Sequence, residues 1–179
     1  MATLYAVILT FPGEIAEGLN RLREKYDRYV SYTIEPHLTL EYPFTLMVDM
    51  AIINARLEAV AKRTKPFTLV LNGVKYFEGA NNVAYVAVKD RRPVIDLHVD
   101  IFHSLEGLVK EEYDGRYALE HFTPHVTIGE HIPDDVFPAV KEEFSDYKLY
   151  YGSEITSFSL FSGEMDGMWG PVRVFGLSG

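Results

Sequence analysis

Five residues, Pro36-His37-Leu38-Thr39-Leu40, return almost unchanged as Pro124-His125-Val126-Thr127-Ile128, a separation of 125 − 37 = 88 positions. Near neutral pH an imidazole accepts or donates a proton, and a threonine hydroxyl can hydrogen-bond an anionic oxygen. Side chains alternate along a strand, so His37 and Thr39 point one way while Leu38 and Leu40 point the other. His125 and Thr127 likewise oppose Val126 and Ile128. The apolar residues can anchor each strand in a core and leave the polar pair on the opposite face. Two such faces across a cleft would make four convergent polar groups. Two Pro-His-x-Thr words in a chain with six histidines arise by chance roughly once in ten thousand such chains.

The surrounding pattern has to supply the strands and their backing. Leu4 to Leu9 reads as a strand, and Pro12 opens a helical pattern with Ile15, Leu19, Leu22 and Tyr26 on one face. His37 to Tyr42 reads as a strand, Asp49 as a helix cap, and Ile53, Leu57, Val60 and Ala61 as the next buried stripe. Strands follow at 67–74 and 83–88, joined by a turn over Glu78-Gly79-Ala80-Asn81-Asn82. The second half repeats the plan. A helix is predicted over Pro93 to Glu111, then a strand holding the second word, then a short helix from Asp134-Asp135 to about Phe144. Closing strands are predicted around Ile155 to Phe161 and Val172 to Leu177. This alternation predicts an α/β (α+β) architecture of two related lobes facing one cleft, a single bilobal domain over 1–179 with sequence halves at roughly 1–90 and 91–179.

Composition narrows the function classes. The 179 residues suit one domain or two intimate half-size lobes. There is no cysteine, which removes disulfides, thiolate metal sites and a cysteine nucleophile. A net charge of −9 opposes wide contact with a nucleic-acid backbone and favours a small or single-ended substrate. The opening apolar run is too short to span a bilayer and lacks the features of a secretory signal, so no membrane association and a cytoplasmic location are expected.

The two words, extended as HLTLEYPF from His37 and FTPHVTI from Phe122, resemble the motifs of the two-histidine phosphoesterases, which include RNA 2',3'-cyclic phosphodiesterases also called 2'-5' RNA ligases. The likeness in pattern runs along the whole chain, with Val83 to Val88 in the place of the family's central strand and Ser157 to Leu177 resembling its closing hairpin. The resemblance implies pseudo-two-fold lobes of antiparallel sheet plus helices. It also implies a cleft where His37 and His125 flank a phosphodiester and Thr39 and Thr127 bind its non-bridging oxygens. It implies no metal and no other cofactor. The expected activity is hydrolysis of a cyclic phosphodiester, a 2',3'-cyclic phosphate on a nucleotide or RNA end, with ligation when a 5'-hydroxyl takes the place of water. Where several RNA-acting relatives carry a basic residue after the second motif, this chain has Gly129-Glu130, which argues against long RNA. The motif is symmetric and makes neither histidine the base.

Other residues offer competing readings. A nucleotide-binding or sensing module could use the same cleft without turnover. A metal-dependent phosphohydrolase would need a cluster such as His121, His125, His131 and Glu41, which leaves the threonines unexplained. His98 and His103, five apart on a helix, lack the spacing of a metal pair and read as structural. Lys110-Glu111-Glu112 and Asp134-Asp135 read as solvated helix ends. Tyr42, Phe44, Tyr85 and Trp169 are candidates to stack on a base.

Overall fold

The computed structural model describes residues 3–26, 34–112, 119–164 and 167–179. The first apolar run forms β1 (Leu4–Thr10), and the amphipathic segment after it forms α1 (Gly13–Tyr26). The first motif opens β2 (His37–Leu46), followed by α2 (Met50–Arg63), whose Ile53, Leu57, Val60 and Ala61 are buried. A long hairpin, β3 (Phe67–Phe77) and β4 (Asn82–Val88), leads to α3 (Arg92–Leu105) and the short β5 (Val109–Glu111). The second motif opens β6 (His125–Ile132), then come α4 (Phe137–Phe144), β7 (Tyr150–Ile155), β8 (Ser157–Gly163) and β9 (Gly170–Gly176).

The strands make two antiparallel sheets, ordered β5-β2-β1-β8-β9 and β6-β4-β3-β7. Each sheet draws strands from both halves of the sequence, so a division near residue 90 separates the two motifs but not the two sheets. The helices cross over as well. The helix α1 leaves the first sheet to cover β6 of the second, whereas α3 leaves the second sheet to cover β2 of the first. Tyr76 of β3 meets Phe137 of α4 edge-on at 5.6 Å, and α4 in turn meets α1 through Tyr26 and Phe144 at 5.4 Å. One continuous apolar core lies behind both motif strands, with Val7, Leu38, Leu40, Val126 and Ile128 fully buried in it.

The internal repeat persists in the hydrogen-bond register. In β1–β2 the pairs Thr10–His37, Ile8–Thr39, Val7–Glu41 and Tyr5–Phe44 contain two one-residue bulges. In β4–β6 the pairs Ala87–His125, Tyr85–Thr127, Ala84–Gly129 and Asn82–Ile132 contain bulges at the corresponding places. One offset, 88 on the motif strand (37 + 88 = 125, 44 + 88 = 132) and 77 on its partner (10 + 77 = 87, 5 + 77 = 82), relates every pair. A bulge adds an unpaired residue and turns the strand. Each lobe therefore bends its motif strand just after the threonine.

Several expected boundaries moved. The third helix ends at Leu105 rather than Glu111, because Gly107 takes a left-handed φ of 73° and the next residues pair with β2 as β5. Glu111 therefore lies in a strand, not at a solvated helix end. Asp134-Asp135 stand in a turn before α4, and Asp134 Oδ1 accepts a 2.7 Å hydrogen bond from Asn82 Nδ2. Asp49 occupies the N-cap of α2 without a side-chain capping bond. Ile155 and Ser157 belong to strands in different sheets, with Thr156 as the crossing point of the run read as one strand. Among the described residues no helix is long and apolar enough to cross a membrane.

Candidate active site

His37 and His125 begin their strands with matching hydrogen bonds. His37 Nδ1 lies 2.9 Å from the Glu35 carbonyl oxygen, and His125 Nδ1 lies 2.7 Å from that of Thr123. A carbonyl oxygen only accepts, so each Nδ1–H donates and the neutral ring carries its basic lone pair on Nε2. Pro36 and Pro124, both buried, stand between donor and acceptor. Proline fixes its own φ and holds the residue before it extended. The motif's proline thus belongs to the machinery that sets the histidine tautomer.

The two stretches also share a burial pattern. Pro36 to Tyr42 alternates buried and half-buried, with two buried residues in a row at Leu40 and Glu41. Pro124 to Glu130 repeats this with Ile128 and Gly129. The bulge lets strand alternation skip a beat, so Tyr42 and Glu130 return to the face of the threonines. Thr39, Tyr42, His125, Thr127 and Glu130 all line one cavity of about 710 Å³. His37 stands two residues before Thr39 on the same face of β2, outside the cavity's lining.

The β3–β4 hairpin adds to the lining from Phe77 to Val83. Its tip is clipped to the end of β6, with His131 N–H donating to Asn81 Oδ1 at 2.7 Å and Asn82 Nδ2 donating to Ile132 O at 3.2 Å. Gly79, at φ 148°, supplies a backbone conformation that other residues avoid. Composition marked this segment as a turn, but its place at the cavity depends on the pairing of β4 with β6. His121 and Thr123 also line the cavity, brought there by the approach to β6. Sequence reasoning places neither at a phosphate site: it reaches His121 only as a metal ligand, and Thr123 not at all.

His125 is enclosed by aromatic edges. Its ring meets Phe77 at 5.1 Å and Tyr85 at 5.2 Å, while Phe77 and Tyr85 stack on each other at 4.3 Å. Burial lowers the His125 pKa below its ordinary 6.5, with the hydrogen bond to Thr123 partly opposing it. This environment favours the neutral imidazole.

Other candidates separate cleanly. Phe44 is a core residue stacked on Tyr5, Tyr85 packs against His125, Tyr42 lines the cavity, and Trp169 joins a small apolar cluster with Ala6, Ile8 and Phe161. His98 is fully buried, donates from Nδ1 to the Leu40 carbonyl at 2.6 Å and accepts the Leu119 N–H at 3.0 Å. Those two bonds tie α3 to the first motif strand and to the turn before the second. His103 stands near Glu106 at the surface. Glu41 pairs across from Val7 and so points into the core, away from the cavity. It cannot join His121 and His125 in a metal cluster, and among the described residues no three His, Cys, Asp or Glu side chains are placed to hold a metal ion.

A family model for the 2'-5' RNA ligase superfamily matches residues 11–167. The chain belongs to that superfamily. Proteins of Bacillus cereus and Bacillus anthracis that carry the name phosphoesterase are each 32% identical over 173 residues, covering 95% of both chains. Among solved structures, TT0787 of Thermus thermophilus superposes with a TM-score of 0.69 at 16% identity over 98% of both chains. LigT of E. coli complexed with 3'-AMP gives 0.68 at 18% identity over the full length of both. These superpositions establish the two-histidine phosphoesterase fold. The superfamily assignment reaches the same conclusion by sequence.

Proposed function

We propose that this protein is a metal-independent phosphoesterase that opens a 2',3'-cyclic phosphate on a nucleotide or an RNA end. The observation that carries the reading is the matched pair of Nδ1-to-carbonyl hydrogen bonds at His37 and His125. Together they give both imidazoles the same tautomer, on strands whose threonines share a cavity.

In this mechanism one imidazole takes a proton from water through Nε2 as the water oxygen bonds to phosphorus. The phosphorus–ribose oxygen bond opposite breaks, and the other imidazole, protonated, gives its proton to the departing ribose oxygen. Thr39 and Thr127 donate to the non-bridging oxygens, where negative charge gathers. Burial, which lowers the His125 pKa, suits it to be the base in hydrolysis, with His37 then the acid. Replacing water by a 5'-hydroxyl, with the same base and the same acid, would give ligation. Glu78 and Glu130 on the cavity wall favour a singly charged cyclic diester over a polyanionic strand. The LigT complex with 3'-AMP gives a nucleotide precedent on the same fold.

The test is a turnover screen, after exhaustive chelation, against nucleoside 2',3'-cyclic phosphates, 2',5'-linked dinucleotides and ADP-ribose cyclic phosphate. Hydrolysis of a cyclic phosphate that survives EDTA is expected. Saturable nucleotide binding with no turnover of any compound would favour a sensing module. Activity lost to EDTA and restored by zinc or manganese would overturn the metal-free mechanism.

A further inference from the structure

His98 does not line the cavity, yet it bonds to the backbone beside both motifs. Leu40 is the extra residue of the first bulge, between the pairs Ile8–Thr39 and Val7–Glu41, and has no partner on β1. A bulge residue leaves the ladder, so its buried carbonyl needs a donor from elsewhere. His98 of α3 supplies it, with Nδ1–H donating to Leu40 O at 2.6 Å. The other ring nitrogen keeps its lone pair, and Nε2 accepts the Leu119 N–H at 3.0 Å.

Leu119 holds a left-handed φ of 49°, which residues other than glycine seldom adopt, and it begins the short helical turn Leu119–His121. Phe122 N–H closes that turn by donating to Leu119 O at 3.1 Å. The Phe122 ring stacks on His98 with 3.9 Å between centroids and 18° between planes. Thr123 follows, and its carbonyl accepts the His125 Nδ1–H. The same segment carries His121 and Thr123 into the cavity lining. One fully buried imidazole thus anchors both the residue after Thr39 and the segment that fixes the His125 tautomer.

Shape alone does not account for a histidine here, since a phenyl ring would fill the space and leave a carbonyl and an N–H buried without partners. Both bonds need the neutral ring with its proton on Nδ1, because protonation at Nε2 would set N–H against N–H. Burial lowers the His98 pKa and favours that form, with the Leu40 bond opposing and the charge of His103 assisting.

We propose that His98 is a positioning residue for hydrolysis, setting the His125 ring through the segment from Leu119 to Thr123 and holding the bulge after Thr39 against it. The effect on turnover rests on the phosphoesterase reading, whereas the effect on the His125 ring does not.

Long-range proton–nitrogen correlation NMR reads the tautomer of each imidazole, and wild-type His125 should carry its proton on Nδ1. His98→Phe keeps a ring against Phe122 and removes both bonds. His98→Gln offers an amide oxygen to Leu119, and His98→Asn an amide N–H to Leu40. In His98→Phe the His125 ring should become a mixture of tautomers. Its kcat for a nucleoside 2',3'-cyclic phosphate should fall roughly ten- to a hundredfold, as for a reacting group displaced by about an ångström, with KM changed much less. His98→Gln should restore the His125 tautomer and recover more of kcat than His98→Asn, and this comparison decides the matter if His98→Phe does not fold. A His125 tautomer unchanged in the variants, with any loss of kcat merely following stability in urea, would overturn the positioning role and leave the phosphoesterase intact. A wild-type chain without turnover, whose His125 tautomer still depends on His98, would overturn the hydrolytic reading and uphold the control of the ring.

Discussion

At the scale of single residues, the proposed mechanism gives the histidines and threonines separable duties. Thr39→Ala and Thr127→Ala each remove one donor to a charged oxygen, worth about 1.5 to 3 kcal/mol, while the other threonine remains. Either variant should therefore lose roughly ten- to 150-fold in kcat/KM and keep a measurable rate, with wild-type stability by urea unfolding. The pH profile of kcat/KM should be bell-shaped, because one imidazole must be neutral and the other protonated in the same molecule. If His125 is the base, its lowered pKa places the acid limb of that profile below about 6.5. An acid limb well above this value would assign the base to His37.

Glu41 makes a different prediction. Burial, then the charge of Glu111, pushes its carboxyl up from 4.5 to about 8, against a hydrogen bond from the Tyr42 backbone. Its Oε2 is buried without a hydrogen-bond partner. The native state holds this proton more tightly than the unfolded chain. Protein stability should therefore fall as pH rises from about 4.5 through about 8 and level off above. Glu41→Gln removes the ionisation and should be more stable than wild type at pH 8 by about 1 to 3 kcal/mol, with little difference near pH 4. Urea unfolding at both pH values measures this. A difference independent of pH would mean that the carboxyl does not titrate in this window.

At the scale of elements, the bulged motif strand is the unit that the chain uses twice, and the crossed helices hold its two copies. The position of Glu41 in the first copy is Gly129 in the second, since 41 + 88 = 129. A Cβ at Gly129 would meet Tyr26 Cβ at 2.7 Å and the Tyr26 carbonyl oxygen at 3.0 Å, at the end of the helix that crosses from the other lobe. Lys25, at the same helix end, makes a 2.5 Å surface contact with Glu143 of α4. Gly129→Ala should push α1 off β6 and cost about 1 to 3 kcal/mol of stability, with a fall in turnover because β6 carries His125 and Thr127. An equally stable and equally active variant would show that the crossing does not depend on close approach at this point.

What could be read at this scale from the sequence alone depended on local signals. The apolar alternation of β2 and β6 and the buried stripe of α2 follow from residue spacing, and both formed where expected. The end of α3 did not, because Leu108 continues the helical rhythm while Gly107 breaks the helix. The exposed, glycine-containing β7 has little apolar alternation to reveal it. Thr123 and the hairpin tip entered the site through a hydrogen bond to a ring and a pairing between distant strands, which no spacing within one segment records. The prolines of the motif were visible from the start, but their link to the histidine tautomer needed the Glu35 and Thr123 carbonyls in place.

At the scale of the whole molecule, charge and cavity size act together. A net charge of −9 and carboxylates at the cavity wall make extended phosphate contact unfavourable. KM for a mononucleoside cyclic phosphate should therefore change only a few-fold between about 50 and 200 mM salt, where a protein making six or more phosphate contacts loses about a thousandfold or more. A steep salt dependence would mean that the substrate runs well beyond one phosphate.

The central claim is that His37 and His125 act as an acid–base pair at one phosphodiester. It is tested most directly by single-turnover hydrolysis of a nucleoside 2',3'-cyclic phosphate with the wild-type chain, His37→Ala and His125→Ala, alongside equilibrium binding of the nucleotide. Each histidine variant should lose at least about a hundredfold in rate, the low end for a missing general acid or base. Affinity should fall far less. A histidine variant that turns over at the wild-type rate would contradict the account.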